Sequence, residues 1–145
     1  MEIIVKRYDE LTRDELYEIL RSRAEVFSVE QAIIYVDMDG MDKDSIHLFI
    51  MEEGRIQSYL RIIKPGVKYP NASIGRVLTL LPSRRKGYAT MLMRKALDIA
   101  LKLSLSVEIE AQAYLTDYYK RLGFIAVSDE FILEGIPHVS MIYPG

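Results

Sequence analysis

The chain is poor in the side chains that bind metal ions or form disulfide bonds. None of its 145 residues is cysteine, which excludes disulfide bonds and thiolate ligands. Imidazole could come only from His47 and His138, and no HxxxH or HxH spacing occurs. We therefore expect no metal site in this chain.

Long apolar runs and an excess of one charge are missing too. No segment approaches the roughly 18 uninterrupted apolar residues that a transmembrane helix needs. The N-terminal MEIIVKRYDE lacks the apolar core of a signal peptide. A formal net charge of -2 removes any general affinity for nucleic acid, and a 50% apolar composition argues against disorder. We expect one cytoplasmic domain over residues 1–145, with no membrane or nucleic-acid partner.

Apolar periodicity switches between strand and helix patterns along the chain. Strands are predicted near 2–8, 46–51, 55–63, 74–81, 106–111, 124–127 and 138–143. Helices are predicted over 13–27, from the turn at 84–90 to residue 103, and over 115–122. Thr12 and Glu15 form a capping box before the first helix, and Glu53-Gly54 indicates a tight hairpin. Strands mixed with crossover helices predict an α/β domain with a mixed sheet.

A basic turn, Arg84 to Thr90, lies between a strand pattern and a helix pattern. Backbone N–H groups at a helix start are unpaired, and the helix dipole favours negative charge there. Gly87 has no Cβ, so the backbone can approach a phosphate closely. The turn predicts a site for a phosphorylated cofactor, although the GxxxxGK[ST] spacing of a Walker loop is absent. The alternative is a solvated basic turn.

An acidic segment follows the first predicted helix, over residues 28–45. It contains Asp37, Asp39, Asp42 and Asp44, and long loops of this kind are often functional. The spacing and terminal glutamate of a calcium loop are missing. The segment is therefore expected to be a solvated loop, to cap turns, or to present negative charge to a cationic substrate.

Two motifs in order resemble the GCN5-related N-acetyltransferases, the GNAT family. Arg84-x-x-Gly87-x-Ala89 resembles the R/Q-x-x-G-x-G/A signature between a strand and a helix. The segment 118–124, YYKRLGF, resembles the aromatic-Tyr pair that precedes a Gly-Phe step. Arg85 stands where glycine is common, and alanine is accepted at the last position.

A closer resemblance is to the ElaA-like branch of that family. It rests on RAEVFSVEQ at 23–31, YVDMD at 35–39, AQA at 111–113 and GIPH at 135–138. An aromatic-cysteine feature common near Gln31 is absent. The resemblance implies the GNAT fold, with a mixed, mostly antiparallel twisted sheet of about six to seven strands and about four helices.

The resemblance also implies acetyl-CoA as co-substrate and no metal. Its pyrophosphate would lie on the amides of the basic turn, and its pantetheine arm would pair with the strand at 77–79. We expect the Leu78 amide to hold the acetyl carbonyl as it becomes an oxyanion. The implied cofactor-binding residues are Val77, Leu78, Thr79, Arg84, Arg85, Lys86, Gly87, Tyr88, Ala89, Thr90 and Gln112.

Tyr119 is the candidate general acid, because a phenol near the sulfur can protonate the departing CoA thiolate. A free lysine amine has a pKa near 10.4, so a base must help to remove the proton of the acceptor. Glu30 is the first candidate base, and Glu110 and His138 are alternatives. Each of these residues could equally be structural.

These residues together predict an acetyl-CoA-dependent N-acetyltransferase that works by direct transfer in a ternary complex. No cysteine could carry a covalent acyl intermediate. The acceptor would be a small-molecule or peptide amine, with extra positive charge if the acidic loop faces it. The alternatives are a non-catalytic acyl-CoA-binding regulatory module and an interaction domain without a ligand. Family habit allows a homodimer through the last strand.

Overall fold

The computed structural model describes residues 2–145 as an eight-stranded sheet with helices against both faces. The strands are β1 Ile4–Arg7, β2 Ser45–Glu52, β3 Arg55–Ile63, β4 Ala72–Thr79, β5 Val107–Gln112, β6 Ile125–Ala126, β7 Phe131–Leu133 and β8 Ile136–Tyr143. The helices are α1 Arg13–Arg23, α2 Tyr88–Ala100 and α3 Thr116–Leu122, and a π-helix, Ala24–Glu30, continues directly from α1.

The strand order is β1-β2-β3-β4-β5-β8-β6, with β7 paired to β8. Only β4 and β5 run parallel, so the prediction of a mixed, mostly antiparallel sheet is confirmed. The sheet has one strand more than expected because β7 was not predicted. Three α-helices and one π-helix stand where about four helices were expected.

Local signals place the ends of several elements correctly. The Thr12 hydroxyl accepts a hydrogen bond from the Glu15 N–H at 3.1 Å, and the Glu15 carboxylate accepts one from the Thr12 N–H at 2.8 Å. Glu53 and Gly54 form the predicted hairpin turn, with φ of 51° and 75°. Gly123 ends α3 with a φ of 111°, and a Cβ there would lie 2.7 Å from the Tyr143 ring.

Two helix ends differ from the prediction. The first helix was expected to end near Phe27, but α1 gives way to the wider π-helix at Ala24, which extends to Glu30. The second helix was expected to reach Leu103, but α2 ends at Ala100 because the next residues turn, with the Leu103 N–H bonded to the Ala100 carbonyl at 2.9 Å.

The sheet separates two apolar cores. The larger core packs the sheet against α2 and α3 and includes Leu92, Ala96, Ile109 and Phe124. The smaller core lies on the α1 side of the sheet and includes Ile19, Phe49, Tyr59 and Leu78. Every second residue of β5, from Val107 to Ala111, is buried in the larger core, so Glu108, Glu110 and Gln112 face the α1 side.

The centre of the sheet is open. Strands β4 and β5 pair at only two positions, Ala72 with Val107 and Ser73 with Glu108, whereas β5 continues along β8 for its whole length. A β-bulge at Arg76, whose φ is 53°, shifts the pairing of β4 with β3 between Gly75 and Leu78. The edges of β4 and β5 therefore face each other across a gap.

Candidate functional site

The gap between β4 and β5 opens into a cavity of about 490 Å³. Strand β4 forms one wall and strand β5 the opposite wall. The π-helix, α3 and the β7–β8 hairpin enclose the rest, and the basic turn reaches its rim through Arg84 and Ala89. The cavity brings together residues from segments that are distant in the sequence: Glu30, Thr79, Arg84, Gln112, Tyr119 and His138.

The pairing of β4 decides which of its amides face the gap. The Leu80 N–H donates to the Gln57 carbonyl at 2.9 Å, and Tyr59 lies opposite Leu78. Antiparallel strands alternate hydrogen-bonded and non-bonded pairs, so the Leu78 N–H is directed at β3. The amides of Val77 and Thr79 are directed at the gap instead. The Leu78 amide, the expected donor, is therefore not directed at the gap.

The basic turn has the open helix start that its sequence predicts. Helix α2 begins at Tyr88 after Gly87, whose φ is 78°. The first hydrogen bond inside the helix is donated by Met91 to the Gly87 carbonyl at 3.1 Å, so the amides of Tyr88, Ala89 and Thr90 have no acceptor within the helix. Arg85 is also left-handed, with a φ of 69°. Such a turn presents backbone donors to an anion.

Arg84 points away from this turn and towards β4 and the π-helix. Its Nε donates to the Thr79 carbonyl at 2.8 Å, and its Nη2 donates to both carboxylate oxygens of Glu30 at 2.8 and 2.9 Å. Glu30, the first candidate base, is therefore held in an ion pair. The pair joins the end of the π-helix to the end of β4.

The two adjacent tyrosines of α3 have different surroundings. The Tyr118 hydroxyl is hydrogen-bonded to the Thr90 hydroxyl at 2.9 Å. The Tyr119 side chain is only 7% exposed and packs edge-on against Tyr118 and Phe124. Tyr119 lines the cavity, and its hydroxyl makes no hydrogen bond to another side chain of residues 2–145. Burial raises the pKa of Tyr119, so this phenol keeps its proton at neutral pH.

Glu110 and His138 face the cavity from adjacent strands. Burial alone would raise the pKa of Glu110, but the hydrogen bond and charge of Lys68 hold it below its usual range. Glu110 is thus an ion-paired carboxylate and not a solvated one. The His138 Nδ1 lies 2.7 Å from the Ile136 carbonyl, and its ring stacks on Phe131 at a centroid distance of 6.1 Å.

Gln112 closes the cavity by pairing with Gln31. The two side-chain amides exchange hydrogen bonds of 3.3 and 3.4 Å, which tie β5 to the end of the π-helix. Sequence analysis missed the partners Gln31 and Lys68. Gln31 lies inside the segment that resembles the ElaA-like branch, but nothing in the local pattern indicates its contact with a strand 81 positions away.

Much of the acidic loop is exposed, as expected of a solvated loop, but three of its aspartates are ion-paired with arginines. The expected turn capping occurs at Asp39, whose carboxylate accepts a hydrogen bond from the Met41 N–H at 3.0 Å. Arg23, which is fully buried, binds Asp37 at 2.8 Å and Asp42 at 2.6 Å. Arg61 binds Asp39 and Asp42, and Arg76 binds Asp37 at 2.8 Å. Three arginines therefore neutralise three aspartates beneath the cavity.

His47 extends this network inside the sheet. Its Nε2 donates to the Asp42 carbonyl at 2.9 Å, so its Nδ1 accepts the Tyr59 hydroxyl at 2.7 Å. Burial lowers the pKa of His47, which keeps the ring neutral in the fold. This histidine has a structural role and does not line the cavity.

Within residues 2–145, no three His, Cys, Asp or Glu side chains are placed to hold a metal ion. No helix in the same part of the chain is long and apolar enough to cross a membrane.

Comparison with known proteins identifies the fold and its family. A family model described as an acetyltransferase (GNAT) domain matches residues 10–143. The chain belongs to the GNAT family. A UPF0039 protein of Synechocystis sp. is 37% identical over 141 residues, which cover 95% of this chain and 92% of that protein. The ElaA protein of Escherichia coli is 33% identical over 138 residues, which cover 92% and 90% of the two chains.

Solved GNAT structures agree with the architecture. An acyl-CoA N-acyltransferase from Pseudomonas aeruginosa is similar with a TM-score of 0.91 and 38% identity, over 98% of this chain and 99% of that one. Escherichia coli ElaA is similar with a TM-score of 0.90 and 32% identity, over 97% of each chain. The predicted resemblance to the ElaA-like branch of the GNAT family is confirmed.

Proposed function

We propose that this protein transfers an acetyl group from acetyl-CoA to a primary amine, by direct attack in a ternary complex. The observation that supports the proposal most is the cavity in the β4–β5 gap. It brings an open helix start, the unpaired edge of β4 and the Tyr119 hydroxyl to one place. Membership of a family of acyl-CoA N-acyltransferases supports the same reaction class.

The cofactor would extend from the basic turn into the gap. Its diphosphate would accept hydrogen bonds from the amides between Arg85 and Thr90, where the helix dipole adds roughly 0.3–1 kcal/mol per charge. The pantetheine arm would pair with the edge of β4. Thr79 is nearer the basic turn and would bind the arm, whereas Val77 is deeper in the gap and would meet the acetyl carbonyl. A preorganised donor of this kind is worth about 3 kcal/mol in the transition state.

Tyr119 would protonate the departing sulfur. Its burial keeps the phenol neutral, and no side-chain acceptor binds its proton in the described residues. Glu30 would position Arg84 and would not be the base, because its carboxylate is bound in an ion pair of 2.8 Å with that arginine. Gln112 would hold the wall of the site through its amide pair with Gln31.

The acceptor remains a primary amine of a small molecule or peptide. The acidic loop no longer supports an acceptor with additional positive charge, because Arg23, Arg61 and Arg76 neutralise its buried carboxylates. We therefore expect the cavity to accept amines without a requirement for a second cation.

Two measurements test the function together. In the first, acetyl-CoA at 100 times its Kd should stabilise the protein by roughly 2.7 kcal/mol, seen as a thermal shift. In the second, release of CoA thiol is followed with phenethylamine, spermidine, kanamycin and a dipeptide as acceptors. A thermal shift without turnover on any amine would favour the non-catalytic acyl-CoA-binding module. No shift at all would favour an interaction domain without a ligand.

A further inference from the structure

We propose that His138 accepts the proton of the attacking amine. The inference rests on the proposed function and names a catalytic group within the same cavity. His138 lies on β8 directly opposite Gln112 of β5, lines the cavity and is only 8% exposed. It therefore stands on the wall across the gap from β4.

Hydrogen bonding fixes the tautomer of this ring. A carbonyl oxygen can only accept, so the contact of 2.7 Å between Nδ1 and the Ile136 carbonyl places the hydrogen on Nδ1. The neutral imidazole then presents a lone pair at Nε2. Nε2 has no hydrogen-bond partner in the described chain, and stacking on Phe131 holds the ring in this orientation.

Two of the three carboxylates of the cavity wall are already paired with cations. Glu30 is bound to Arg84, and Glu110 is bound to Lys68. Glu134 is exposed at the turn of the β7–β8 hairpin. His138 is thus the buried titratable group of the wall whose basic atom is not occupied by a cation or a donor, and this property favours it over Glu30 as the base.

The charges that face His138 come from three elements. Glu110 lies on the neighbouring strand β5 and interacts electrostatically with the imidazole. Lys68, from the connection between β3 and β4, neutralises Glu110, and Glu134 lies on the hairpin. The Glu110 carboxylate would stabilise the imidazolium that forms when the amine proton arrives.

The amine attacks in its neutral form, after any ammonium proton has passed to solvent. Its nitrogen forms a bond to the thioester carbon, and the carbon–sulfur bond breaks as the tetrahedral intermediate collapses. The amine proton passes to Nε2 of His138, and the Tyr119 hydroxyl proton passes to the departing sulfur. Solvent then takes the proton from His138 and restores the one on Tyr119. The products are the amide and free CoA thiol.

The test compares wild type with His138→Asn, because the asparagine amide can still donate to the Ile136 carbonyl and so preserve the hairpin. The acceptor is the fastest amine of the panel named above, at saturating acetyl-CoA. We expect kcat/KM for the amine to fall by about 10²–10⁴-fold, while the acetyl-CoA thermal shift stays unchanged. The pH profile of kcat/KM for the amine should differ between wild type and variant, since the variant lacks the base.

A second variant, His138→Ala, tests for chemical rescue, since added imidazole should restore part of its rate. A positioning or packing role would not produce rescue by a free base. Unchanged rate and pH profile in His138→Asn, with wild-type turnover intact, would overturn the role of His138 and leave the transferase standing. Absence of wild-type turnover on every amine would overturn both.

Discussion

At the scale of single residues, the pair Tyr118 and Tyr119 shows how neighbours in one helix come to lie in different surroundings. Their side chains point to different sides of α3, so one hydroxyl binds Thr90 while the other reaches the cavity without a side-chain partner. The YYKRLGF motif indicated Tyr119 as the candidate acid, but not the hydrogen bond of Tyr118 to Thr90. Which hydroxyl lacks an acceptor is a property of the packed structure.

Replacing Tyr119 by phenylalanine should lower kcat by about 10²-fold or more, because the ring packing is kept and only the proton donor is lost. Tyr118→Phe is the matched control. It removes the hydrogen bond to Thr90 and should cost less than about tenfold in rate, since a single neutral hydrogen bond contributes about 1 kcal/mol. The measurement is CoA thiol release at saturating acetyl-CoA. Equal losses in the two variants would argue against Tyr119 as the acid.

At the scale of elements, the basic turn combines a left-handed glycine with an open helix start. The positive φ of Gly87 orients the first amides of α2, and a Cβ at this position would meet no atom within 4 Å. A substitution therefore acts through backbone strain and through the approach of a ligand, and not through a clash inside the protein.

Gly87→Ala should raise the Kd for acetyl-CoA at least tenfold, because the methyl group lies where a phosphate would approach the backbone. Gly66→Ala is the control. Gly66 has a similar φ of 84° and equally open surroundings, but it precedes β4 whereas the basic turn follows that strand. Both variants should lose about 1–2 kcal/mol of stability from the left-handed conformation. Calorimetric titration with acetyl-CoA and urea unfolding separate the two effects, and a parallel loss of affinity in Gly66→Ala would refute the phosphate site.

Local patterns predicted the elements whose ends are determined by neighbouring residues: the capping box at Thr12, the hairpin at Glu53 and the stop at Gly123. Contacts between distant segments had no such signal. The three-residue strand β7 is too short for a period, and the left-handed bulge falls on an arginine and not on a glycine. The motifs predicted the basic turn and Tyr119 as site residues, and the structure brings both to the cavity, but the direction of the β4 amides required the strand register.

At the scale of the whole molecule, the neutral network of arginines and aspartates should make stability depend on pH. Burial alone would raise the pKa values of Asp39 and Asp42, but hydrogen bonds and charge from Arg61 and Arg23 hold both below their usual range. The unfolded chain then binds more protons than the fold as the pH falls. The stability from these carboxylates is present above about pH 4 and is lost below it.

His47 makes the free energy of unfolding decline at a higher pH than the aspartates do. Its pKa is lowered in the fold, so the unfolded chain takes up a proton first as the pH falls below about 6.5. Urea unfolding at pH 7, 5.5, 4 and 3 should give a free energy of unfolding that decreases at each step. Asp42→Asn should weaken the decrease below pH 4, whereas Asp9→Asn, in an exposed pair with Arg7, should leave the curve unchanged. A flat curve in wild type would contradict the prediction.

The bulge at Arg76 bears on the geometry of the proposed reaction. An arginine with a φ of 53° is held in an unfavourable conformation, and the Asp37 carboxylate and carbonyl retain its guanidinium at 2.8 and 2.9 Å. If these hydrogen bonds were lost, the register of β4 could shift by one residue. The Leu78 amide would then face the gap in place of the Val77 and Thr79 amides. Removal of the Asp37 carboxylate would therefore be expected to misalign the proposed oxyanion donor, although Asp37 itself would not contact the substrate.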